Sequence, residues 1–251
     1  PTPAARQAWG AAQEGDAGGA ARAQRLGAAL TSLGEDGKNI LLSLNPSVFP
    51  LSGNTDPTAT VLGLFGLAAQ SGKPLLWERL TPRGRVVETD RLVIPARAVG
   101  GSDGAGDAMA DAARDAIAGA IGGLPVLLPW PVAIVRAGAE AGPASKAAVV
   151  TLASVPADAV TWQESDWLRL WDTRRDLRAM MPESPKFDEG KDAKGGVGGM
   201  NSWPVIVAAE RREAGLPPQR IVAVGSNGWF ADAVAMQQRV VDGRTVPQHP
   251  G

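Results

Sequence analysis

Ser226 is the side chain whose surroundings most resemble those of a catalytic nucleophile. It lies in the segment Val224–Gly228, Val-Gly-Ser-Asn-Gly, close to the Gly-x-Ser-x-Gly elbow that holds a serine on a tight strand-to-helix turn. Val224 replaces the first glycine of that elbow, and the one histidine of the chain, His249, lies in a Pro/Gly tail. A Ser-His-Asp hydrolase needs histidine as its general base, so we do not expect that chemistry. A serine–lysine pair stays open, although the sequence indicates no partner lysine.

Carboxylates could serve acid–base chemistry or bind a metal at two places. Glu164, Asp166 and Asp172 lie close in sequence, and glycosidases use a pair of carboxylates. The same spacing is typical of the solvated face of a helix, which is the interpretation we favour. A second group at helical spacing lacks the EF-hand pattern and is interpreted in the same way: Asp103, Asp107 and Asp111.

The glycine-rich stretch Ala193–Met200, Ala-Lys-Gly-Gly-Val-Gly-Gly-Met, invites comparison with the phosphate loop of ParA/MinD-type ATPases. Such a loop needs a lysine for the phosphates and a serine or threonine for Mg²⁺. Gly199 and Met200 occupy those two positions, so we predict a flexible loop and no nucleotide hydrolysis. The absence of cysteine and the single histidine also exclude thiolate and multi-histidine metal sites. We predict neither a metal nor a cofactor.

The composition bounds the class of protein. The chain has 251 residues, 44% of them hydrophobic, which is enough for a sizeable core. With 25 basic and 26 acidic residues, it lacks the basic surface that nucleic-acid binding requires, so we expect no nucleic-acid partner. No apolar run approaches the length of a membrane span. The sequence does not begin with methionine, and we expect a mature form or an excised fragment.

Two apolar runs predict the elements that position Ser226. Ile221–Val224 precedes the Ser226 turn, and Ile40–Leu44 ends in the turn Asn45–Ser47. Unbroken runs of this kind are typical of buried strands in a parallel sheet, and Trp229–Gln237 has the pattern of a helix start. We therefore predict an α/β fold of the Rossmann or flavodoxin type. It would be a mostly parallel sheet with helices on both faces and these two strands at its centre.

Other segments complete this prediction. Apolar residues at helical spacing predict further helices, over Ala20–Leu33, Pro57–Gln70 and Asp107–Ile121. The stretch Trp162–Trp171 is mixed, and its acidic residues could open a further helix that runs to Met180. Strand patterns with turn signals predict a hairpin and further strands, over Pro74–Trp77, Arg85–Glu88, Arg91–Ile94, Leu127–Val135, Ala147–Ser154 and Pro204–Glu210. We expect residues 1–19 to be a flexible N-terminal segment, 20–240 a single α/β domain and 241–251 a C-terminal tail.

We predict a ligand-binding crevice between the turns that end the two apolar runs, on the condition that these runs are neighbouring parallel strands. Their C-terminal turns then lie side by side. The candidate ligand-binding residues are Asn45, Ser47, Ser226, Asn227 and Trp229, and none is assigned a catalytic role. Amides and hydroxyls near a helix N-terminus favour an anion or a hydroxylated ligand, and Trp229 could form a flat wall for a sugar ring. The alternative is that Asn45 and Asn227 only cap turns and helices, while Trp229 packs in the core.

Patches spread over about residues 35 to 235 carry a resemblance to a known family. They are Gly37–Ser47, Leu62–Gln70 with Lys73–Leu75, Val150–Pro156 with Trp162–Glu164, Trp203–Glu210 and Arg220–Phe230. In this order they resemble segments of the GldG-like auxiliary components of ABC-type transport systems. The chain departs from the family at Asn45, where an aspartate is common, and at Ser226–Gly228, which replaces Asp-Ser-Asp. Both changes remove carboxylates.

The resemblance implies a Rossmann- or flavodoxin-like domain that is periplasmic or otherwise extracytoplasmic and works beside an ABC permease. The family's membrane helices are absent from this sequence, so a membrane anchor would lie in segments outside it. No established catalysis comes with the resemblance. We expect a non-enzymatic accessory domain of an ABC-type transport or motility complex, with a protein partner and a glycan as a further candidate ligand. The alternative is a hydrolase acting on a sugar or ester at an Asn45/Ser226 cleft.

Overall fold

The structure is a computed structural model, and it describes residues 17–82, 84–93, 126–137, 147–168, 170, 186–196, 201–212, 217–228, 238–241 and 244–247. Two α-helices lie within these ranges, α1 (Ala17–Glu35) and α2 (Ala59–Gly63), together with a 3-10 turn over Pro50–Ser52. Neither described helix combines the length and the apolar character that crossing a membrane requires.

Strands dominate the described part of the chain. They are β1 (Ile40–Ser43), β2 (Leu67–Ala69), β3 (Leu75–Thr81), β4 (Gly84–Glu88), β5 (Asp90–Val93), β6 (Val126–Pro129), β7 (Ile134–Arg136), β8 (Ala148–Pro156), β9 (Thr161–Gln163), β10 (Ser202–Arg211), β11 (Gln219–Val224), β12 (Gln238–Val241) and β13 (Arg244–Pro247).

The largest sheet has four strands in the order β1-β11-β10-β8. β1 and β11 are parallel, with Ile40 opposite Ile221 and Ser43 opposite Val224. β10 runs antiparallel to β11 on one side and to β8 on the other. β1 therefore lies at an edge of this sheet, while β11 lies inside it.

Four smaller sheets surround this one, and all of their described strand pairs are antiparallel. β4, β3 and β9 form a three-stranded sheet in that order. β2 pairs with β7, β5 with β6, and β12 with β13. The β3–β4 hairpin and the strands β5, β8 and β10 confirm the corresponding sequence predictions. β6 and β7 confirm the prediction of an extended segment interrupted by prolines, because Pro129 ends β6 and Pro131 lies between the two strands.

This architecture shows that the predicted Rossmann- or flavodoxin-like fold is wrong. The Ile40 and Ile221 strands are parallel neighbours, which meets the condition for the predicted crevice. β1 lies at the edge and not at the centre, and its pair with β11 is the single parallel pair among the described strands. The sheets are mostly antiparallel and the described chain is mostly strand. The cause of the error is physical, because an unbroken apolar run reports burial of a strand on both faces and carries no information about its direction.

Two predicted helices agree only in part with the observed elements. The helix predicted over Pro57–Gln70 ends after five residues at Gly63, and Gly66 adopts a left-handed φ of 65° that glycine tolerates without steric cost. The following residues form β2, which pairs with β7. The helix predicted to run to Met180 does not include Trp162, which lies in β9 opposite Leu76. Leu168 and Leu170 are helical, and residues 171–185 lie outside the described residues. The helices predicted over Asp107–Ile121 and Trp229–Gln237 lie outside the described residues.

The predicted boundaries also differ from the observed elements. α1 begins at Ala17, inside the stretch expected to be a flexible N-terminal segment. β13 (Arg244–Pro247) pairs with β12 inside the stretch expected to be a tail.

Three apolar clusters form the core. The first lies between one face of the large sheet and the elements α2, β2 and β7 and includes Ile40, Leu62, Phe65, Ile134 and Ile221. The second includes Leu75, Leu128, Val155, Trp203 and Val224. The third is rich in tryptophan and includes Leu76, Val87, Trp130, Trp162 and Trp167. The four tryptophans in these clusters are buried, as their size favours.

Candidate functional site

The C-terminal ends of β1 and β11 lie together, as predicted. The Leu44 N–H donates to the carbonyl of Val224 at 2.9 Å, which extends the parallel pair by one residue. The turns Asn45–Ser47 and Gly225–Asn227 therefore both leave the large sheet at the same edge. This edge is the candidate site.

Gly225 is required at this edge because of a close backbone approach. A Cβ at this position would lie 2.1 Å from the carbonyl oxygen of Val132 and 3.0 Å from that of Val205. The Gly225 N–H donates to Val205 and its carbonyl accepts from the Val132 N–H, each at 2.7 Å. The end of β11 is thus clamped between β10 and the segment that joins β6 to β7, and no side chain fits there.

Ser226 is fully buried and turned inward. Its Oγ donates a hydrogen bond to the carbonyl of Pro129 at 2.6 Å and accepts one from the Gly228 N–H at 3.3 Å. This geometry is that of a serine that fixes a turn against a neighbouring strand. The hydroxyl is engaged and shielded from solvent, so it does not present a nucleophile to a substrate.

The other predicted site residues have different environments. Asn45 and Asn227 are exposed. Ser47 is half-buried; its N–H donates to the carbonyl of Ser71 at 2.8 Å and its Oγ accepts from the Phe49 N–H at 3.3 Å. Trp229 lies outside the described residues. The edge therefore offers solvent two exposed asparagine side chains, while its two serines are held by intramolecular hydrogen bonds.

Glu164 is a buried carboxyl, and its environment differs from the one that the sequence predicts. A solvated helix face was predicted, but Glu164 is only 2% exposed. Its Oε2 accepts from the Trp162 indole N–H at 3.0 Å, and its Oε1 accepts from the Asp166 backbone N–H at 2.7 Å. Burial raises the pKa of Glu164 above its ordinary value, the neighbouring charges of Asp192 and Asp166 raise it further, and the two hydrogen bonds oppose that rise. The i, i+2 spacing of Trp162 and Glu164, which places both on one side of an extended chain, was the available signal.

Asp192 lies beside Glu164 and fastens residues 186–196 to the turn that follows β9. Its Oδ1 accepts from both the backbone N–H and the hydroxyl of Ser165, at 3.0 and 2.9 Å, and its Oδ2 accepts from the Asp188 N–H at 2.9 Å. These bonds are those of a structural carboxylate. Within the described ranges, no group of three or more acidic or histidine side chains could hold a metal ion.

The stretch compared with a phosphate loop has a structural role over its described part. The carbonyl of Ala193 accepts from the Gln163 N–H at 2.9 Å, which places the stretch against β9. Gly195 and Gly196 have φ values of 91° and 82°, so they form a turn in the left-handed region. Residues 197–200 lie outside the described part.

Trp130 connects the candidate site to the third cluster. It follows Pro129, the acceptor of the Ser226 hydrogen bond, and its φ of 49° is in the left-handed region. Its backbone N–H donates to the carbonyl of Thr89 at 2.7 Å, and its ring packs edge-to-face on Trp167 with centroids 6.0 Å apart. A bulky residue adopts this backbone conformation only where the surrounding packing holds it there.

Comparisons with known proteins identify no relative. No family model, no curated protein and no solved structure matches the chain.

Proposed function

We propose that this chain is a non-enzymatic accessory domain that acts by binding a protein partner in an extracytoplasmic ABC-type transport or motility complex. A glycan is a further candidate ligand. The environment of Ser226 is the observation that favours binding over catalysis. Its hydroxyl is buried and donates to Pro129, while Asn45 and Asn227 are exposed.

Exposed asparagines suit the recognition of polar groups. Each amide carries two N–H donors and a carbonyl acceptor, which match the carbonyls and amides of a protein segment or the hydroxyls of a sugar. Neither amide serves as a nucleophile or as a general base at neutral pH. No observation favours the alternative of a sugar or ester hydrolase at the Asn45/Ser226 cleft, because the group that would attack the substrate is hydrogen-bonded inside the protein.

The transport or motility assignment is supported by the sequence patches alone. Two of them, Gly37–Ser47 and Arg220–Phe230, contain β1 and β11, which the structure places side by side. The Rossmann-like fold that the resemblance implied is not the fold of this chain. The identity of the partner, an ABC permease or another subunit of a membrane complex, therefore rests on those residues and awaits a binding experiment.

The test is binding of the purified chain to the ABC permease encoded nearest its gene, measured by biolayer interferometry in detergent, with a glycan array in parallel. We expect Asn45→Ala combined with Asn227→Ala to weaken binding at least about tenfold, since lost hydrogen bonds to a partner contribute about 1 kcal/mol each. Asn201→Ala, a change of an exposed asparagine at the start of β10, is the matched control.

Three outcomes would count against the proposal. Absence of binding to the permease would remove the transport assignment. Equal binding by the double variant and the control would show that the two asparagines only cap turns. Turnover of a glycoside or ester that Ser226→Ala abolishes would favour the hydrolase.

A further inference from the structure

We infer that α1 pairs antiparallel with α1 of a second copy of this chain, which makes the protein a weak two-fold symmetric dimer. The inference is independent of the proposed function. It rests on an exposed apolar stripe and on the distribution of charge along the same helix.

α1 has an inner face that is already packed. A Cβ at Gly34 would lie 2.5 Å from Leu64 Cδ1, and a Cβ at Gly27 would lie 3.2 Å from the carbonyl of Pro57. Leu30 packs against the first apolar cluster. These residues fix which side of the helix faces the protein.

A second apolar stripe lies on the exposed side. Leu26 is 53% exposed and Leu33 is 43% exposed, and the exposed Ala29 lies between them. With Arg22 and Asp36 at its two ends, the stripe runs at intervals of four, three, four and three residues. This is the heptad spacing with which helices pair in coiled coils, and Ala29 is small enough to allow close approach at its centre.

The helical hydrogen-bonding pattern of α1 continues beyond Glu35 and includes Asp36, the last residue of the stripe. The Asp36 N–H donates to the carbonyl of Ser32 at 2.8 Å, and the Lys38 N–H donates to that of Leu33 at 3.1 Å. Gly37 then adopts a φ of 70° and ends the helix. Asp36 therefore extends the helical spacing of the stripe by one more position.

Charge determines the direction of pairing. The N-terminal half of α1 carries Arg22 and Arg25, while Glu35 and Asp36 at its C-terminal end are followed by Lys38, so this end keeps a net negative charge. A two-fold axis near Ala29 places Leu26 beside Leu33 of the second copy and brings the basic end of each helix to the acidic end of the other. An interface of this kind is complementary to itself and closes as a dimer. Parallel pairing would instead place like charges together at both ends.

The size of the helix determines the strength of the dimer. Nineteen residues span about 28 Å, and one helix pair buries less than the roughly 1,600 Å² of a standard interface. The dimer should therefore form at high protein concentration and weaken as salt is added, because exposed ion pairs are screened.

The first experiment is sedimentation velocity of the full chain over a concentration series. We expect a monomer–dimer equilibrium, and we expect Leu26→Glu and Leu33→Glu each to raise its dissociation constant at least about tenfold. Leu80→Glu changes another exposed leucine, in β3, and should leave the equilibrium unchanged. Melting curves confirm that each variant is folded. A monomer at every concentration, or equal effects of all three changes, would overturn the inference.

The second experiment tests the direction of pairing. Changing Glu35 and Asp36 to lysine makes both ends of α1 basic and should abolish the dimer. Adding Arg22→Glu and Arg25→Glu to the same chain should restore it with the polarity reversed. Because the chain contains no cysteine, Ala29→Cys gives a single thiol, which should form a disulfide-linked dimer on mild oxidation. Leu80→Cys is its control. Failure of the charge reversal to restore the dimer would exclude antiparallel pairing.

Discussion

Ser226 illustrates how a residue with the appearance of a nucleophile can be structural. Replacing it with alanine removes the hydroxyl that donates to the carbonyl of Pro129 and leaves that carbonyl without this donor. We expect Ser226→Ala to lower the free energy of unfolding by about 1–3 kcal/mol, measured by urea denaturation. Binding to the partner should be retained under conditions where the variant is folded.

Ser32→Ala is the matched control for this change. Ser32 is exposed on α1, where alanine has the higher helix propensity, so the control should be neutral or slightly stabilising. Equal stability of Ser226→Ala and the wild-type chain would contradict the structural role of the buried hydroxyl.

Glu164 should make stability depend on pH. Its pKa is raised from 4.5, chiefly by burial, so the folded state holds this proton more tightly than the unfolded state does. The stabilising contribution of Glu164 is therefore complete below its unfolded pKa and is lost as pH rises through its folded pKa. We expect Glu164→Gln, which is neutral at every pH, to gain stability relative to the wild-type chain as pH rises above the ordinary glutamate pKa of 4.5.

The comparison between the two proteins isolates Glu164. Hydrogen bonds and ion pairs lower the pKa of Asp188 and of Glu210, so these groups give the opposite pH dependence. They do so equally in both proteins, and their contribution cancels in the difference. The measurement is urea unfolding of both proteins at several pH values. A difference that is flat with pH, or that moves in favour of the wild-type chain as pH rises, would refute the role of the buried charge.

At the scale of the element, Gly66 decides where a helix ends and a strand begins. Its φ of 65° costs an L residue roughly 1–2 kcal/mol, and the Ala137 N–H donates to its carbonyl at 2.9 Å. We expect Gly66→Ala to lower the melting temperature, because the added methyl group strains the backbone of the turn that joins α2 to β2.

Gly63 provides the control for this prediction. It is the last residue of α2 and lies three residues before Gly66. Nothing lies within 4 Å of a Cβ added at Gly63, and its φ is not positive. Gly63→Ala should therefore raise the melting temperature slightly, because alanine restricts the unfolded chain. Similar effects of the two changes would show that the left-handed conformation of Gly66 does not matter.

The elements show what the sequence could and could not predict. Short strands with turn signals, such as the β3–β4 hairpin around Thr81–Gly84, were predicted because Pro82 and Gly84 favour a turn locally. The helix predicted over Pro57–Gln70 is observed only over Ala59–Gly63, and its second half was wrong because the apolar residues on both sides of Gly66 fit helical spacing equally well. The competing pairing of β2 with β7 joins residues far apart in the chain, and a local pattern does not contain that information.

At the scale of the whole molecule, the sequence predicted one contact correctly and the architecture incorrectly. Two apolar runs that end in polar turns predicted the strands at Ile40 and Ile221, and their parallel pairing, the condition for the predicted crevice, is observed. β11 also pairs antiparallel with β10, to which a short connection joins it. The prediction of a mostly parallel sheet rested on apolar runs, which carry no information about strand direction. The environment of Glu164 was missed because its burial depends on residues 186–196 packing against the turn after β9.

The edge-to-face pair of Trp130 and Trp167 gives the molecule an optical signature. The chain has eight tryptophans and no tyrosine, so its near-ultraviolet absorption comes almost entirely from indole. We expect two indoles held at 64° with centroids 6.0 Å apart to couple their intense far-ultraviolet transitions and to produce paired circular dichroism bands of opposite sign. Those bands report the assembly of the third cluster during refolding without any added label, and Trp167→Phe should remove them while the other tryptophans remain.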